Sequence, residues 1–441
     1  MSKVLHRICQ SNLPTIAGGE GVYLHDTNGK KYIDACGGAA VSCLGHNHPV
    51  IKQAMMEQLN KISYAHTSFF TNEPQEKLAQ NLLENSKGDF GSVYFVSGGS
   101  EAIETSLKLA RQYFYEQEKF DKKYFIARKQ SYHGNTLGAL SIGGNLWRRT
   151  MFDPILQPGQ HISACYAYRD KKENESEYEY GQRVATELED KIIELGAKNV
   201  AAFVAETVVG ATVGVLPAVD GYFKTIRAIC DKYDVLLILD EIMCGMGRCG
   251  TLHACEQEGI QADLQTIAKG LAGGYQALGA VLVGDKIHQQ ICQGSGMFHH
   301  GHTYIGHPMA TAAGLAVQQE IQEKNLLENV NKQGELLKNT LQDIATNHPF
   351  IGDVRGRGLF VGLELVKDKN NKQPFGYKRR LHATIKKQAM DNGLMIYPMG
   401  GTIDGKNGNH ILLAPPFIAT SSDIEQICNK LIKSIDSAIE K

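Results

Sequence analysis

The sequence predicts an α/β protein with two domains. A large domain over residues 61–334 surrounds a mostly parallel sheet, and a smaller α+β domain combines residues 1–60 with residues 335–441. Three observations carry this expectation. A chain of 441 residues is too long for one small core. From about residue 75, short apolar runs alternate with helical stretches of 12 or more residues, the rhythm of strands joined by crossover helices. Past about residue 335 the pattern changes to glycine-bounded strands and amphipathic helices.

In chain order, Gly21 to Asp34 reads as two short strands around the Asn28-Gly29 turn. The large domain then supplies strands at Val93–Val96, Tyr124–Ala127, Val200–Ala205, Val235–Leu239 and Ala280–Val283. Helices are expected at Ser100–Tyr115 and Gly221–Lys232, and Arg169 to Glu177 is a charged run expected in a solvated loop. In the last third, Val354 to Leu365 reads as one glycine-bounded strand. A helix near 378–391, two short strands and an amphipathic helix near 422–439 follow.

Composition narrows the partners. Hydrophobic residues at 42%, charged residues at 21% and a net charge of −1 describe an ordinary globular chain, with no reason to expect nucleic acid or an anionic membrane. No apolar stretch approaches the ~18 residues of a spanning helix. Met1 to Pro14 has no apolar signal-like region. Ten scattered cysteines without a Cys-x-x-Cys pair suggest reduced thiols, so a cytoplasmic location is expected.

The chemistry starts with two residues. The apolar run Val235 to Leu239 ends on Asp240, and 29 positions later a second short run ends on Lys269. A carboxylate at the end of a buried strand needs a cation to face, and a pyridinium nitrogen is one. A lysine close by can form a Schiff base, so the pair points to pyridoxal 5'-phosphate. Binding of a metal by Asp240 and Glu241 is the rival reading, but no histidine or third carboxylate is placed nearby in sequence.

Ser97-Gly98-Gly99-Ser100-Glu101 follows a strand and opens a helix, where free backbone N–H groups favour an anion such as phosphate. The plainer reading is a helix capped by Ser97 or Ser100. Tyr132-His133-Gly134 follows the next strand, placed so that its aromatic can lie on a planar ring. Ile242 could cover the opposite face. Gly245 to Gly250 fits the dinucleotide fingerprint G-x-G-x-x-G, but Asp240 to Cys244 separate it from its strand, which argues against nicotinamide. The histidine-rich run His299 to His307 lacks the residues of the strong zinc patterns, so no metal is expected. Its Thr303 hydroxyl and glycine-rich backbone suit a phosphate instead.

Taken in order, these segments resemble the class III (ω-type) aminotransferases of fold type I, which use pyridoxal phosphate. The similarity runs from Gly45-His46-Asn47-His48-Pro49 to Ala414-Pro415-Pro416-Phe417. The resemblance implies that Lys269 carries the cofactor as a Schiff base and that Asp240 binds its ring nitrogen. It implies a phosphate cup at Gly99 and Ser100, a ring held between Tyr132 and Ile242, and further cofactor contacts from His133 and Glu206. Thr303 matches a threonine that reaches the neighbouring subunit's cofactor, which implies a homodimer with shared sites. The implied activity is ping-pong amino transfer from an amine or amino acid to a small keto acid such as pyruvate. A decarboxylase, racemase or aminomutase on the same fold would use the same lysine and aspartate.

Departures bear on the substrate. Thr207 stands where the proline of the Glu-Pro motif is usual. Leu412 replaces the arginine that ornithine- and γ-aminobutyrate-type members carry before Ala-Pro-Pro, and Ile396-Tyr397-Pro398 lacks the arginine of diaminopelargonate-type members. Arginine grips a carboxylate with paired hydrogen bonds, and leucine cannot. An apolar mouth lined by Ala40, Val41, Phe69 and Phe70 then suggests an ω-amine donor. Arg149 matches a family arginine, with holding a loop as its expected role.

Overall fold

Leu236–Asp240 is apolar until its last residue, and all five residues are buried. So is every residue of Val200–Glu206 and of Leu264–Ala268. Strands apolar on both faces belong at the centre of a sheet covered on both sides. In the computed structural model, which describes residues 3–9 and 12–440, they lie side by side in the middle of a seven-stranded sheet. Its order is Phe90–Val96, Gly279–Gly284, Leu264–Ala268, Leu236–Asp240, Val200–Glu206, Tyr124–Arg128 and Gln160–Ile162. All are parallel except Gly279–Gly284, which runs antiparallel to both neighbours.

The register decides which residues meet at the sheet's edge. Asp240 lies level with Glu206 on one side and Thr266 on the other. Ala268 lies level with Gly279, which in turn pairs with Val96. Lys269, Asp240, Glu206 and Ser97 are therefore gathered at one edge, outside the carboxyl ends of the parallel strands, where ligands bind in open α/β sheets.

The chain's two ends share one core. Tyr23–Asp26 and Lys31–Asp34 form the expected hairpin, Ile16–Glu20 adds an outer strand, and Leu394–Met395 pairs in parallel with Lys31–Asp34. Ile33, Leu44, Leu363, Ile411 and Leu431 belong to a single buried cluster. The helices Pro49–Lys61 and Leu326–Asn347 run across residues 60–61 and 334–335, so the two expected units join through continuous helices. Met1, Ser2 and Lys441, part of the expected smaller unit, lie outside the described residues, as do Gln10 and Ser11.

One expected element divides. Ile351–Arg357 and Phe360–Leu365 are two antiparallel strands, not one. Gly358 turns the chain between them at φ +54°, a conformation glycine adopts without penalty. Arg169 to Glu177 also has more structure than a plain loop. It starts in the short helix Ala167–Asp170, and Ser176 with Glu179 forms a capping box on the helix Glu177–Leu195.

Candidate active site

Lys269 sits in the left-handed region at φ +50°, a strained position for a residue with a side chain. The turn is held by hydrogen bonds from the amides of Ala272 and Gly273 to the Lys269 carbonyl. The lysine Nζ donates to the Ala39 carbonyl at 3.1 Å. Burial lowers the amine's pKa to about 8, against the opposing pull of the Asp240 and Glu206 carboxylates. About a tenth is then neutral and nucleophilic at pH 7, far more than for an ordinary lysine.

Asp240 is buried, and neither oxygen is left without a partner. Oδ1 accepts from the Ile242 amide at 3.0 Å, and Oδ2 meets His133 Nδ1 at 2.8 Å. The other ring nitrogen of His133 is buried and has no partner. Glu241, one residue past the strand, points the opposite way. It accepts from Thr207 Oγ1 at 2.9 Å and from the Ala254 and Cys255 amides, each at 2.7 Å. The different partners of these successive side chains separate the two carboxylates and give Thr207, in the place of the expected proline, an anchoring role.

Glu206 is buried beside Asp240. Burial raises its pKa to about 7, with His133 and Arg128 opposing and Asp240 adding to the rise. Its side chain receives long bonds, 3.4 Å each, from the Tyr132 and Gly210 amides. Arg128, a buried cation that sequence reading did not single out, donates to the Glu206 carbonyl and lies over Tyr222 and Phe223. Its position at the buried end of the strand Tyr124–Arg128 was the available signal.

The helix Gly99–Tyr115 begins at Gly98 without a side-chain cap. Neither serine caps it. Ser100 Oγ instead accepts from the Asn135 amide at 3.1 Å, and Gly134 fits against it where a Cβ would lie 2.7 Å from that oxygen. Glu101 accepts from the Ser97 amide, and Glu104 from the Gly138 and Ala139 amides. Among the described residues, no protein acceptor meets the amides of Gly99 and Ser100, which leaves an anion site at the helix start. Ile242 packs directly on Gly99, 2.8 Å from the position of a would-be Cβ.

These groups border one cavity of about 450 Å³, with Lys269, Asp240, Glu206, His133, Tyr132 and Gly99 among its lining residues. Ser100, Ile242 and Val41 also line it. Ala40 does not, contrary to the sequence expectation. At φ +62° it turns into a buried cluster with Leu412, Val208 and Phe360. Phe69 and Phe70 are likewise off the cavity of their own chain and stand 77% and 68% exposed. Thr303 is exposed as well, its carbonyl accepting from Tyr64 Oη at 2.9 Å. Arg149 holds a loop, as expected, by donating to the Ser141 and Gly143 carbonyls. His300, from the histidine-rich run, bonds Thr105 Oγ1 at 2.9 Å and packs on Tyr94 and Phe298.

An anion site, a buried acid, a part-neutral lysine and flat walls around one cavity match the parts of pyridoxal phosphate: phosphate, ring nitrogen, aldehyde and ring faces. Comparison with known proteins agrees. The family model for aminotransferase class-III matches residues 9–435. The chain belongs to the class-III aminotransferases. An uncharacterized aminotransferase of Schizosaccharomyces pombe is 44% identical, over 97% of this chain and 93% of its own. An aminotransferase of Gibberella zeae is 43% identical, over 96% and 88%. Among solved structures, the ω-transaminase of Pseudomonas jessenii in complex with PMP superposes with a TM-score of 0.92 at 31% identity, covering 99% of this chain and 96% of that one. This class-III aminotransferase uses pyridoxal phosphate. It shares the fold of ω-transaminases, and its G-x-G-x-x-G segment opens no helix, so the nicotinamide reading is set aside.

Proposed function

We propose that the enzyme moves an amino group from an ω-amine, or an amino acid with a distal amine, to a small keto acid such as pyruvate, with Lys269 and Asp240 as its catalytic residues. The placement of Lys269 Nζ and the Asp240 carboxylate in one cavity carries the reading. The bound cofactor supplies an aldehyde for amines and a protonated ring that accepts electrons from the carbon losing its proton. Lys269 would hold the cofactor through Nζ. Its amine, when free, would take a proton from the substrate carbon and return it, a task suited to a pKa near 8. Asp240, fixed by His133 and the Ile242 amide, keeps the proton on the ring nitrogen. Gly99 and Ser100 receive the phosphate, Tyr132 and Ile242 hold the ring, and Glu206 borders its polar edge.

The donor class rests on position 412, where leucine stands in place of an arginine. Leu412 is fully buried among apolar neighbours, a poor place for an α-carboxylate. The proposal includes a cytoplasmic homodimer in which Thr303 serves the neighbouring site. In its support, Thr303 adjoins an exposed aromatic patch where Tyr64 contacts Tyr304 and His66, and His66 contacts Phe69.

Borohydride treatment followed by peptide mapping tests the lysine. The reduced cofactor is expected on Lys269 in the wild type and is lost in Lys269→Ala. A donor panel tests the substrate. Reaction with α-amino dicarboxylates alone would refute the ω-amine assignment.

A further inference from the structure

Arg148 and Arg149 are neighbours with opposite surroundings. Arg149 is buried with its donors on loop carbonyls and its Nε 3.5 Å from Asp153. Arg148 is half-buried, and its guanidinium lies 4.4 Å from the centre of the Tyr132 ring, which lines the cavity beside Lys269. Its Nε is buried without a hydrogen-bond partner, and among the described residues no carboxylate pairs with it.

The arginine's backbone is fixed. Asn145 caps its short helix by accepting from the Arg148 amide at 3.3 Å and donates to Gln130 Oε1 at 3.2 Å. Gln130 in turn donates to the carbonyls of Gly401 and Thr402. The segment is thereby tied to both the large sheet's loops and the C-terminal unit. Burial chiefly raises the Tyr132 pKa, and the Arg148 charge opposes that rise. The same charge adds to the lowering at Lys269 that burial begins.

Three other buried arginines each place part of the guanidinium on protein acceptors, while Arg128 Nε and Arg248 Nε and Nη2 stay without partners. Arg128 serves the Glu206 carbonyl, Arg248 the carbonyls of Leu359 and Pro415, and Arg355 the carboxylates of Asp353 and Glu364. Val208, Met243 and Leu278 on the cavity wall carry no charge to meet a carboxylate. Arg148 adjoins the cavity through Tyr132 rather than lining it; a keto acid acceptor brings a carboxylate into this cleft, and a guanidinium without an anion is its complement.

We propose that Arg148 binds the substrate carboxylate, that of the keto acid acceptor and of any amino acid donor, and so determines which carbonyl compounds the enzyme accepts. This rests on amino transfer to a keto acid, the reading given above. Exposed Arg7, whose charge also acts on Tyr132, is the competing cation.

The test uses holoenzyme first converted to its aminated form by propylamine, which has no carboxylate. Reaction with pyruvate, glyoxylate or 2-oxoglutarate is then compared with reaction with propanal, for wild type, Arg148→Gln, Arg148→Lys and Arg7→Gln. In Arg148→Gln, KM for the keto acids should rise about 10- to 100-fold, the range for losing a charge-assisted hydrogen bond. Its kcat and its reaction with propanal should stay within about threefold of wild type. Arg148→Lys should recover part of the loss. Equal losses for keto acids and propanal would overturn the proposal by showing that Arg148 only props Tyr132. A keto-acid defect in Arg7→Gln but not in Arg148→Gln would overturn it too. Wild type inert toward every keto acid would instead refute amino transfer to a keto acid, the reading on which this rests.

Discussion

Two glycine-rich turns follow strands that end at the cleft, and they do opposite things. Ser97-Gly98-Gly99 leaves a strand of the large sheet and enters a long helix directly, so the helix's first amides meet no protein acceptor. Gly245 to Gly250 fits the better-known fingerprint, yet its amides are satisfied internally. Gly245 donates to the Glu241 carbonyl, Gly247 to Leu252 and Gly250 to Gly247. It also carries Arg248, buried over Phe417 and donating to the carbonyls of Leu359 and Pro415. The burial lowers the Arg248 pKa to about 10. A glycine pattern therefore binds an anion only when the chain beyond it leaves donors free. The first turn belongs to the chemistry and the second to the architecture.

Substitutions should separate the two regions, with rate lost on one side and stability on the other. Asp240→Asn has the largest expected effect on the catalytic side, a drop in kcat of about 10²–10³-fold, the scale for removing one preorganised electrostatic group. Single-turnover rates in the amine half-reaction measure it, and an unchanged rate would remove Asp240 from the mechanism. His133→Phe removes the partner of Asp240 Oδ2 and should cost about 10- to 100-fold, as for other groups that orient a functional side chain. The melting temperature should fall far less than the rate.

On the architectural side, Gly250→Ala must hold φ at +95° and brings a Cβ to 2.0 Å from Asn331 Oδ1. A loss of about 1–3 kcal/mol in stability is expected from the backbone strain. Denaturant unfolding measures it, and activity per folded site should be unchanged. The smallest expected effect concerns pH. Glu206 is protonated below about pH 7 and ionises as pH rises through that value. Glu206→Gln stays neutral throughout, so an inflection near pH 7 in the wild-type apoenzyme titration should disappear. At pH 6 the variant should match wild type within about threefold.

Local patterns made much of the sheet legible. Apolar runs located the strands ending near Val96, Ala205, Leu239 and Val283 to within a few residues, because burial on both faces leaves little room for polar residues. Asp240 and Lys269 stood out as lone charges at the ends of such runs. Pairings between distant residues left no such trace. The His133–Asp240 bond joins positions 107 apart, and the separation of Asp240 from Glu241 depends on which strand face meets Thr207. The hairpin at Gly358 was hidden because its strands form a nearly unbroken glycine-spaced run. Phe69 and Phe70 looked like cleft aromatics by type, but the chain places them on its surface. Arg148 and Arg149 cannot be told apart by residue type, and only the three-dimensional path of their short helix assigns them different tasks.

The parallel pairing of Leu394 with Ile33 and of Met395 with Asp34 ties residues from opposite ends of the polypeptide. On a ribosome, the N-terminal hairpin must wait for nearly the whole chain before its neighbouring strand exists, whereas most strands of the seven-stranded sheet can find each other earlier. Closing so long a loop is slow. Maturation should therefore finish with the small sheet.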